Sequence, residues 1–192
     1  MSERAIGPIS PQGTALPPSS GSLDGRYTSL IRLEPSHAEP SWKHLGGDRN
    51  GHLWTYMFGG PYTNHQQWKD AVEGFSKTEE PFFYTVLSGP RDNPASEPVG
   101  QMSYLNIVPD HRRVEIGNII FGSQLKQTRA ATEAFYLIIK NAFEELGYLR
   151  VEWKANALNK PSLAAAERLG FVFEGIFRYV LGSFSGFEQV LT

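Results

Sequence analysis

The sequence predicts a single α/β domain whose mixed, largely antiparallel sheet carries helices on both faces. Its 192 residues are enough for one domain of ordinary size. Segments of strand and helix type follow one another in the order strand, helix, three strands, helix, strand, helix, strand. Consecutive strands are typical of an antiparallel meander and a strand–helix–strand unit of a parallel crossover, so a mixed sheet accommodates both.

The N-terminal half contains short apolar segments separated by turn residues. The first strand, Tyr27–Leu33, ends before Pro35, and Pro40 interrupts a helical pattern over Ser36–Leu45. Asn64 is a good N-cap for a helix whose apolar face is formed by Trp68, Ala71, Val72 and Phe75. Three strands follow, at Phe82–Leu87, Val99–Ile107 and Val114–Phe121.

The C-terminal half contains the longest helical pattern. Apolar residues recur with helical period from Thr128 to Leu146, and Gly147 follows where a left-handed C-cap is expected. The remaining elements are a strand at Tyr148–Ala155, a helix from Asn159 to Gly170 with Pro161 in its first turn, and a last strand at Phe171–Leu181.

The composition is that of a globular protein and excludes several kinds of site. Lys plus Arg is 18 and Asp plus Glu is 20, so charge gives no reason to expect a nucleic-acid partner. The absence of cysteine excludes disulfides, thiolate metal sites and a cysteine nucleophile. The histidines show no ligand spacing, so no metal is expected. Without a membrane-spanning run or a signal peptide, we expect a cytoplasmic protein with no membrane partner.

Residues 1–25 are rich in Pro, Ser and Gly and contain few large apolar side chains. Such a composition is typical of a disordered tail, so we expect the folded domain to occupy residues 26–192. A docking or targeting segment is the alternative, although nothing in these residues supports it.

The junction from Ile119 to Ala131 has the features of an anion site. A strand runs into a polar loop and then into the start of a long helix, where free backbone N–H groups and the helix dipole favour an anion. Lys126 and Arg129 would add positive charge for a diphosphate. An ordinary turn with a solvated basic pair is the alternative, and the single glycine, Gly122, favours it for this feature alone.

Glu115 is a candidate general base because apolar residues flank it in the strand VEIGNIIF. Burial of a carboxylate raises its pKa towards the range that suits a general base near neutral pH. An exposed glutamate on the polar face of the strand is the alternative.

Polar side chains also meet where the strand at residues 148–155 gives way to the next helix. Asn156, Asn159 and Ser162 could bind an amide-bearing ligand or position a proton donor. Helix capping by Asn159, with Ser162 bonded to local backbone groups, is the alternative.

Three motifs occur in a fixed order along the chain. They are VEIG at Val114–Gly117, QTRAATEA at Gln127–Ala134, and a stretch that runs from NKPS at Asn159–Ser162 through LGF at Leu169–Phe171 to Glu174–Gly175. Together they resemble the GNAT superfamily of acetyltransferases, and within it the RimJ/RimL-type branch, over Arg26 to Phe177. The resemblance implies direct transfer of an acetyl group from acetyl-CoA, as co-substrate, to an amine in a ternary complex. The acceptor amine would be a protein N-terminus or a small molecule.

The resemblance also implies roles for individual residues. The CoA diphosphate would be bound by the backbone amides of Lys126, Gln127, Thr128, Arg129, Ala130 and Ala131. The strand with Ile119, Ile120 and Phe121 would pair with the pantetheine amides, and Asn159 matches an asparagine that contacts the cofactor arm. Glu115 matches a position used as general base, directly or through water.

Two sites depart from the family pattern. Thr128 and the two alanines after Arg129 stand where the phosphate loop usually has glycines, a form found in the RimJ/RimL-type branch. The tyrosine that protonates the leaving thiolate in many relatives is replaced by Ala166, counted from Asn159. Ser162 is the nearest substitute as a catalytic acid.

The C-terminus departs furthest. Relatives continue after the EGxFR-type strand into a charged hairpin and a further strand, whereas this chain reads YVLGSFSGFEQVLT. We therefore expect an incomplete sheet edge along Phe171–Leu181, and a homodimer through this C-terminal edge.

Two other functions stay open. A degenerate GNAT domain that binds CoA or a protein partner without catalysis is favoured by the missing tyrosine and the short C-terminus. An unrelated α/β ligand-binding domain is the second, and it disagrees with the ordered motifs.

Overall fold

The computed structural model describes residues 11–19, 21–178 and 189–191. The α-helices are α1 (Ala38–Leu45), α2 (His65–Ser76), α3 (Arg129–Lys140) and α4 (Lys160–Arg168). The strands are β1 (Leu23–Asp24), β2 (Ser29–Arg32), β3 (Phe82–Leu87), β4 (Pro98–Val108), β5 (Arg113–Phe121), β6 (Arg150–Glu152), β7 (Lys154–Asn156), β8 (Gly175–Phe177) and β9 (Gln189–Leu191). Tight 3-10 turns cover Pro35–His37, Asp48–Trp54 and Pro109–His111, and a π turn covers Asn141–Glu145.

The main sheet has six strands in the spatial order β1-β2-β3-β4-β5-β6. Neighbours from β1 to β5 are antiparallel, whereas β5 and β6 are parallel and are joined by α3. The second sheet has the order β7-β9-β8. These pairings confirm the predicted α/β domain with a mixed, largely antiparallel sheet.

Helices cover both faces of the main sheet because its strands alternate their apolar side chains. In β3, Phe82 and Tyr84 face the main core, whereas Phe83 faces a second core. The main core contains buried side chains of α3 and α4, among them Ala134, Phe135, Ile138 and Ala166. The second core contains Leu33, Ala38, Leu45, Trp54, Trp68, Val72, Phe83 and Ile120, and joins the sheet to α1 and α2.

The helix ends follow the local sequence signals. Asn64 accepts backbone hydrogen bonds from Gln66 and Gln67 at the start of α2, as expected for an N-cap. The Thr128 side chain caps α3 in the same way by accepting from the N–H of Ala131. Gly147 has a φ of 76° and reverses the chain after the π turn, which continues α3 beyond its regular end.

Two asparagines with positive φ introduce bulges into β4 and β5. Asn106 has a φ of 47° and Asn118 a φ of 51°, values that asparagine tolerates better than most residues. Each lies where the β4–β5 register shifts. Beyond Asn118 the alternation is reversed, so Ile116 lies in the main core and Ile120 in the second core.

The single strand predicted at Tyr148–Ala155 is divided in the structure. β6 pairs with β5 through residues 150–152, and β7 pairs with β9 through residues 154–156. Trp153 lies between the two strands, where its ring is buried in the main core 5.5 Å from the ring of Phe135. The chain changes partner at this residue, so β5 and β7 diverge.

The N-terminal residues pack against the domain. Ala15 is only 4% exposed and belongs to the main core, and its N–H donates to the carbonyl of Pro109 at 3.0 Å. Leu16 donates to the carbonyl of Leu146, and β1 pairs with β2. The expectation of a disordered tail therefore does not hold for Ala15, Leu16 and β1, whose backbone pairs with Pro109, Leu146 and β2. Residues 1–10 and 20 lie outside the described ranges.

The C-terminal edge also differs from the expectation. β9 lies between β7 and β8 and is antiparallel to both. The chain's own residues 189–191 therefore provide β8 with a neighbouring strand, and the expected missing partner is wrong for Gly175–Phe177. Residues 179–188 and 192 lie outside the described ranges, and with them the end of the predicted last strand.

Substitution of Ala15 tests the packing of the N-terminal residues. Ala15→Asp places a carboxylate in the main core, so we expect the free energy of unfolding to fall by about 2 kcal/mol or more. The control is Thr14→Asp, which adds the same charge at an exposed neighbouring position. Denaturant unfolding measures both variants. Equal stability of the two would contradict the packing.

Candidate active site

A cavity of about 1750 Å³ opens where β5 and β7 diverge. β5 and β6 are paired only from Arg113–Arg150 to Glu115–Glu152. Beyond Glu115, the edge of β5 that faces away from β4 has no strand partner among the described residues. The main-chain groups of this edge are therefore accessible to a ligand with amide groups.

The three residues predicted to face the pantetheine arm all line this cavity. Ile119 and Phe121 are partly buried against the main core, and Ile120 is anchored in the second core. Because both faces of this part of β5 are packed, the strand edge has a fixed position.

Glu115 lies at the point where the strands separate. It is 6% exposed, so the alternative of an exposed glutamate is wrong. Its carboxylate accepts a hydrogen bond from the side-chain amide of Asn106 at 2.7 Å and another from the ammonium of Lys154. The bulge at Asn106 brings that amide to Glu115, and Lys154 reaches it from the first position of β7.

Lys154 also binds a second carboxylate, that of Glu152, at 2.9 Å. Glu152 accepts from Arg150 at 2.8 Å, and Arg150 binds Glu174 at 2.6 Å. Burial acts against the charged form of Lys154, but its hydrogen bonds to Glu115 and Glu152 outweigh this and raise its pKa above the ordinary value. Burial also disfavours the charged form of Glu152, yet its bonds to Arg150 and Lys154 lower its pKa.

The start of α3 forms another wall of the cavity. Thr128 and Ala131 have acceptors for their N–H groups, whereas those of Lys126, Gln127, Arg129 and Ala130 have none among the described residues. The side chains of Lys126 and Arg129 line the cavity. Ala130 does not line it and packs against the main core, so only its backbone could contact a ligand. Free donors and two cations together favour an anion here.

Glu133, one turn into α3, fixes the chain beside this helix start. Its carboxylate accepts from the backbone N–H groups of Arg26, Tyr27 and Thr28. A side chain at Gly25 would lie 2.5 Å from this carboxylate, so the close approach requires glycine. Tyr27 is thereby held at the cavity wall, with its ring centroid 5.8 Å from the Arg129 guanidinium.

Asn159 and Ser162 line the cavity on the side of α4. The carbonyl oxygen of Asn159 caps the helix by accepting from the N–H of Ser162 at 3.3 Å, so the capping alternative is correct for this atom. The amide nitrogen of Asn159 has no acceptor among the described residues. The Ser162 hydroxyl accepts from the indole of Trp153 at 3.0 Å and keeps its own proton to donate. Ala166 is fully buried and does not line the cavity.

Asn106, Lys154 and Glu152 belong to the site but carry weak signals in the sequence. Asparagine is depleted in strands, so Asn106 within an apolar strand was the available signal of a bulge. No local signal shows that Lys154 reaches Glu115, because the contact depends on the divergence of β5 and β7.

The aromatic stretch before α2 has two roles. Trp54 and Tyr62 pack in the second core, whereas Tyr56 and Phe58 line the cavity, Phe58 with 67% of its surface exposed. This end of the cavity is predominantly apolar, with Leu53, Met57 and Leu105 in the same wall.

The part of the chain that the structure describes lacks two other kinds of feature. No group of three or more His, Asp or Glu side chains there is arranged to hold a metal ion. Nor does that part contain a helix with the length and apolar character needed to cross a membrane.

The fold and the cavity between diverging strands define the class of protein. The family model described as an acetyltransferase (GNAT) domain matches residues 29–172. The chain therefore belongs to the GNAT acetyltransferases, a family that uses acetyl-CoA. A search of curated proteins gives no match.

Solved structures are similar over nearly the whole chain. A GCN5-related N-acetyltransferase from Brucella melitensis is 29% identical with a TM-score of 0.86, over 93% of this chain and 80% of that one. A probable acetyltransferase of the GNAT family from Chromobacterium violaceum is 28% identical with a TM-score of 0.85, over 98% and 95%. The microcin C7 self-immunity acetyltransferase MccE, solved with acetyl-CoA and AMP, has the same fold at 18% identity and a TM-score of 0.70, over 87% and 91%.

Charge reversal at Arg129 tests the anion site. Arg129→Glu should weaken CoA binding about tenfold or more, because a carboxylate would replace a cation beside the diphosphate. An acidic residue in the first turn stabilises a helix, so α3 should stay folded. The control is Lys140→Glu at the other end of α3. Calorimetric titration with CoA gives both dissociation constants, and an unchanged constant for Arg129→Glu would contradict the site.

Proposed function

We propose that the protein transfers an acetyl group from acetyl-CoA to an amine by direct transfer in a ternary complex. The observation that carries this proposal is the position of Glu115, which lies in the same cavity as the anion-binding start of α3 and the unpaired edge of β5. A base, a phosphate site and free main-chain groups thus share one opening. MccE, which has this fold, was solved with acetyl-CoA.

In this proposal acetyl-CoA lies between β5 and α4. The N–H groups and cations at residues 126–130 bind its diphosphate, and the backbone at Ile119, Ile120 and Phe121 binds the amides of its arm. Asn159 contributes its free amide nitrogen. The cavity volume of about 1750 Å³ leaves room for an acceptor as well.

The proton transfers follow from the two polar groups that flank the opening. The acceptor enters as an ammonium ion and loses a proton to the carboxylate of Glu115. The neutral amine attacks the thioester carbonyl, a carbon–nitrogen bond forms and the carbon–sulfur bond breaks. The thiolate takes the proton of the Ser162 hydroxyl, to which the Trp153 indole donates. The nitrogen still carries one proton more than the amide product, and this proton returns to the Ser162 oxygen, so that CoA leaves as the thiol and the hydroxyl is restored.

The acceptor enters from the side of Tyr56 and Phe58. The side chains there are mainly apolar, so an amine attached to an apolar or aromatic group is favoured. A protein N-terminus and a small-molecule amine both meet this description. Membership of the RimJ/RimL-type branch, a cytoplasmic location and a homodimer through the C-terminal sheet edge stay predictions.

A second candidate is a GNAT domain that binds CoA without catalysis. The alanine at position 166 in place of the usual tyrosine favours it, since Ser162 would then be the sole candidate acid. Incubation with acetyl-CoA and a panel of amines and peptide N-termini, scored by release of free CoA thiol, separates the two. Tight CoA binding without thiol release for any acceptor would favour the second candidate.

Replacement of Glu115 tests the proposed base. Glu115→Gln should lower kcat by about a hundredfold or more and leave CoA affinity unchanged, because the amide cannot accept the amine proton. Glu174→Gln is the matched control, since it removes a carboxylate from the same chain of ion pairs far from the opening. The assay is run at a pH at which the amine is mostly protonated. Wild-type turnover in Glu115→Gln would remove this residue from the mechanism.

Replacement of Ser162 tests the proposed acid. Ser162→Ala should lower kcat by about a hundredfold, whereas Ser162→Thr keeps a hydroxyl and should retain most of the activity. Steady-state kinetics with a saturating amine measures both. If the alanine and threonine variants turn over equally fast, the hydroxyl does not protonate the thiolate.

A further inference from the structure

The ammonium of Lys154, on β7, binds side chains of both β5 and β6, close to where β5 and β7 diverge. Its side chain is 18% exposed and lies between the carboxylates of Glu115 and Glu152. The side chains of these two residues are 7% and 9% exposed. Glu115 and Glu152 are directly opposite each other in the β5–β6 register. Without a cation between them, two nearly buried carboxylates would face each other across neighbouring strands.

We propose that Lys154 is a positioning residue that lies between the carboxylates of Glu115 and Glu152, balances their charge and orients Glu115 for proton abstraction. This inference rests on the proposed role of Glu115 as the base. Lys154 acts on one carboxylate oxygen, Oε2, which also accepts from Asn106. Both donors bind the same oxygen, so Oε1 has no donor among the described residues and is the atom available to the amine.

Among the cations near Glu115, Lys154 is the one that contacts its carboxylate. Arg150 binds Glu152 and Glu174, and Arg113 approaches Glu152 at 3.8 Å, so neither arginine contacts Glu115. Lys154 on β7 binds Glu115, and Glu152 on β6 lies opposite it in the strand register. Arg150 on β6 and Arg113 on β5 bind Glu152, and His52 and Tyr56 in the segment before α2 line the same cavity as Glu115.

A purely structural ion pair is the competing explanation, and the pH profile separates the two. In Lys154→Met, repulsion between Glu115 and Glu152 favours protonation of one of them. The acidic limb of the kcat/KM profile should therefore move to higher pH by about one unit or more, with activity restored at alkaline pH. The acceptor amine ionises in the same way for every variant, so a difference between the pH profiles reflects ionisation of groups on the protein.

Three further variants complete the experiment. Lys154→Arg keeps the charge and should keep the limb in place. The double variant Glu152→Gln with Lys154→Met removes the repelling carboxylate and should return the limb towards its wild-type position. Lys154→Gln keeps a hydrogen-bond donor and should shift the limb in the same direction as Lys154→Met but less. If Lys154→Met does not fold, the comparison of Lys154→Gln with Lys154→Arg decides the question.

The outcomes distinguish this inference from the proposed function. A Lys154→Met or Lys154→Gln enzyme that loses activity equally at every pH, or loses none, would overturn the positioning role. That result would leave the proposed function intact as long as Glu115→Gln lowers kcat as expected, by about a hundredfold or more. Wild-type turnover in Glu115→Gln would instead refute the base itself, whatever the Lys154 variants show.

Discussion

The pairing between β5 and β6 ends at Glu115 and Glu152, and the site depends on where it ends. Trp153 packs into the main core directly after this pair, so the chain takes β9 as its next partner instead of following β5. The strands then diverge, and the space between them becomes the cavity. The unpaired edge of main-chain groups beyond Glu115 and the position of Glu115 opposite Glu152 are both consequences of this short pairing.

The positive and negative side chains around Glu115 and Glu152 are equal in number. Three carboxylates, Glu115, Glu152 and Glu174, alternate with three cations, Lys154, Arg150 and Arg113. The pairs of Lys154 with Glu115 and Glu152 are nearly buried, and such pairs seldom stabilise a fold more than apolar side chains of similar volume would, because both partners lose their hydration. Glu115 and Lys154 are the members of this set that line the cavity.

β-Bulges determine where side chains of the candidate site point. The bulge at Asn106 directs its amide to Glu115, and the bulge at Asn118 reverses the faces of β5, so that Ile120 is anchored in the second core. On the opposite wall, the three hydrogen bonds to Glu133 fix the chain at residues 26–28 beside the start of α3. A polar network thus holds each wall of the cavity, while the apolar cores hold the elements behind it.

The sequence by itself determined most of the element order, the caps of α2 and α4, and the family, whereas β1, β9 and the division of the strand at Trp153 were not predicted. These depend on local signals, such as the periodicity of α3, the caps at Asn64 and Asn159, and motifs at fixed spacing. Only the tertiary structure decided which side chains meet Glu115, that Ala15 packs in the main core, and that β9 lies between β7 and β8 in the second sheet. Such contacts join residues far apart in the chain, as when Lys154 reaches Glu115, and composition or periodicity contains no information about partners at that separation.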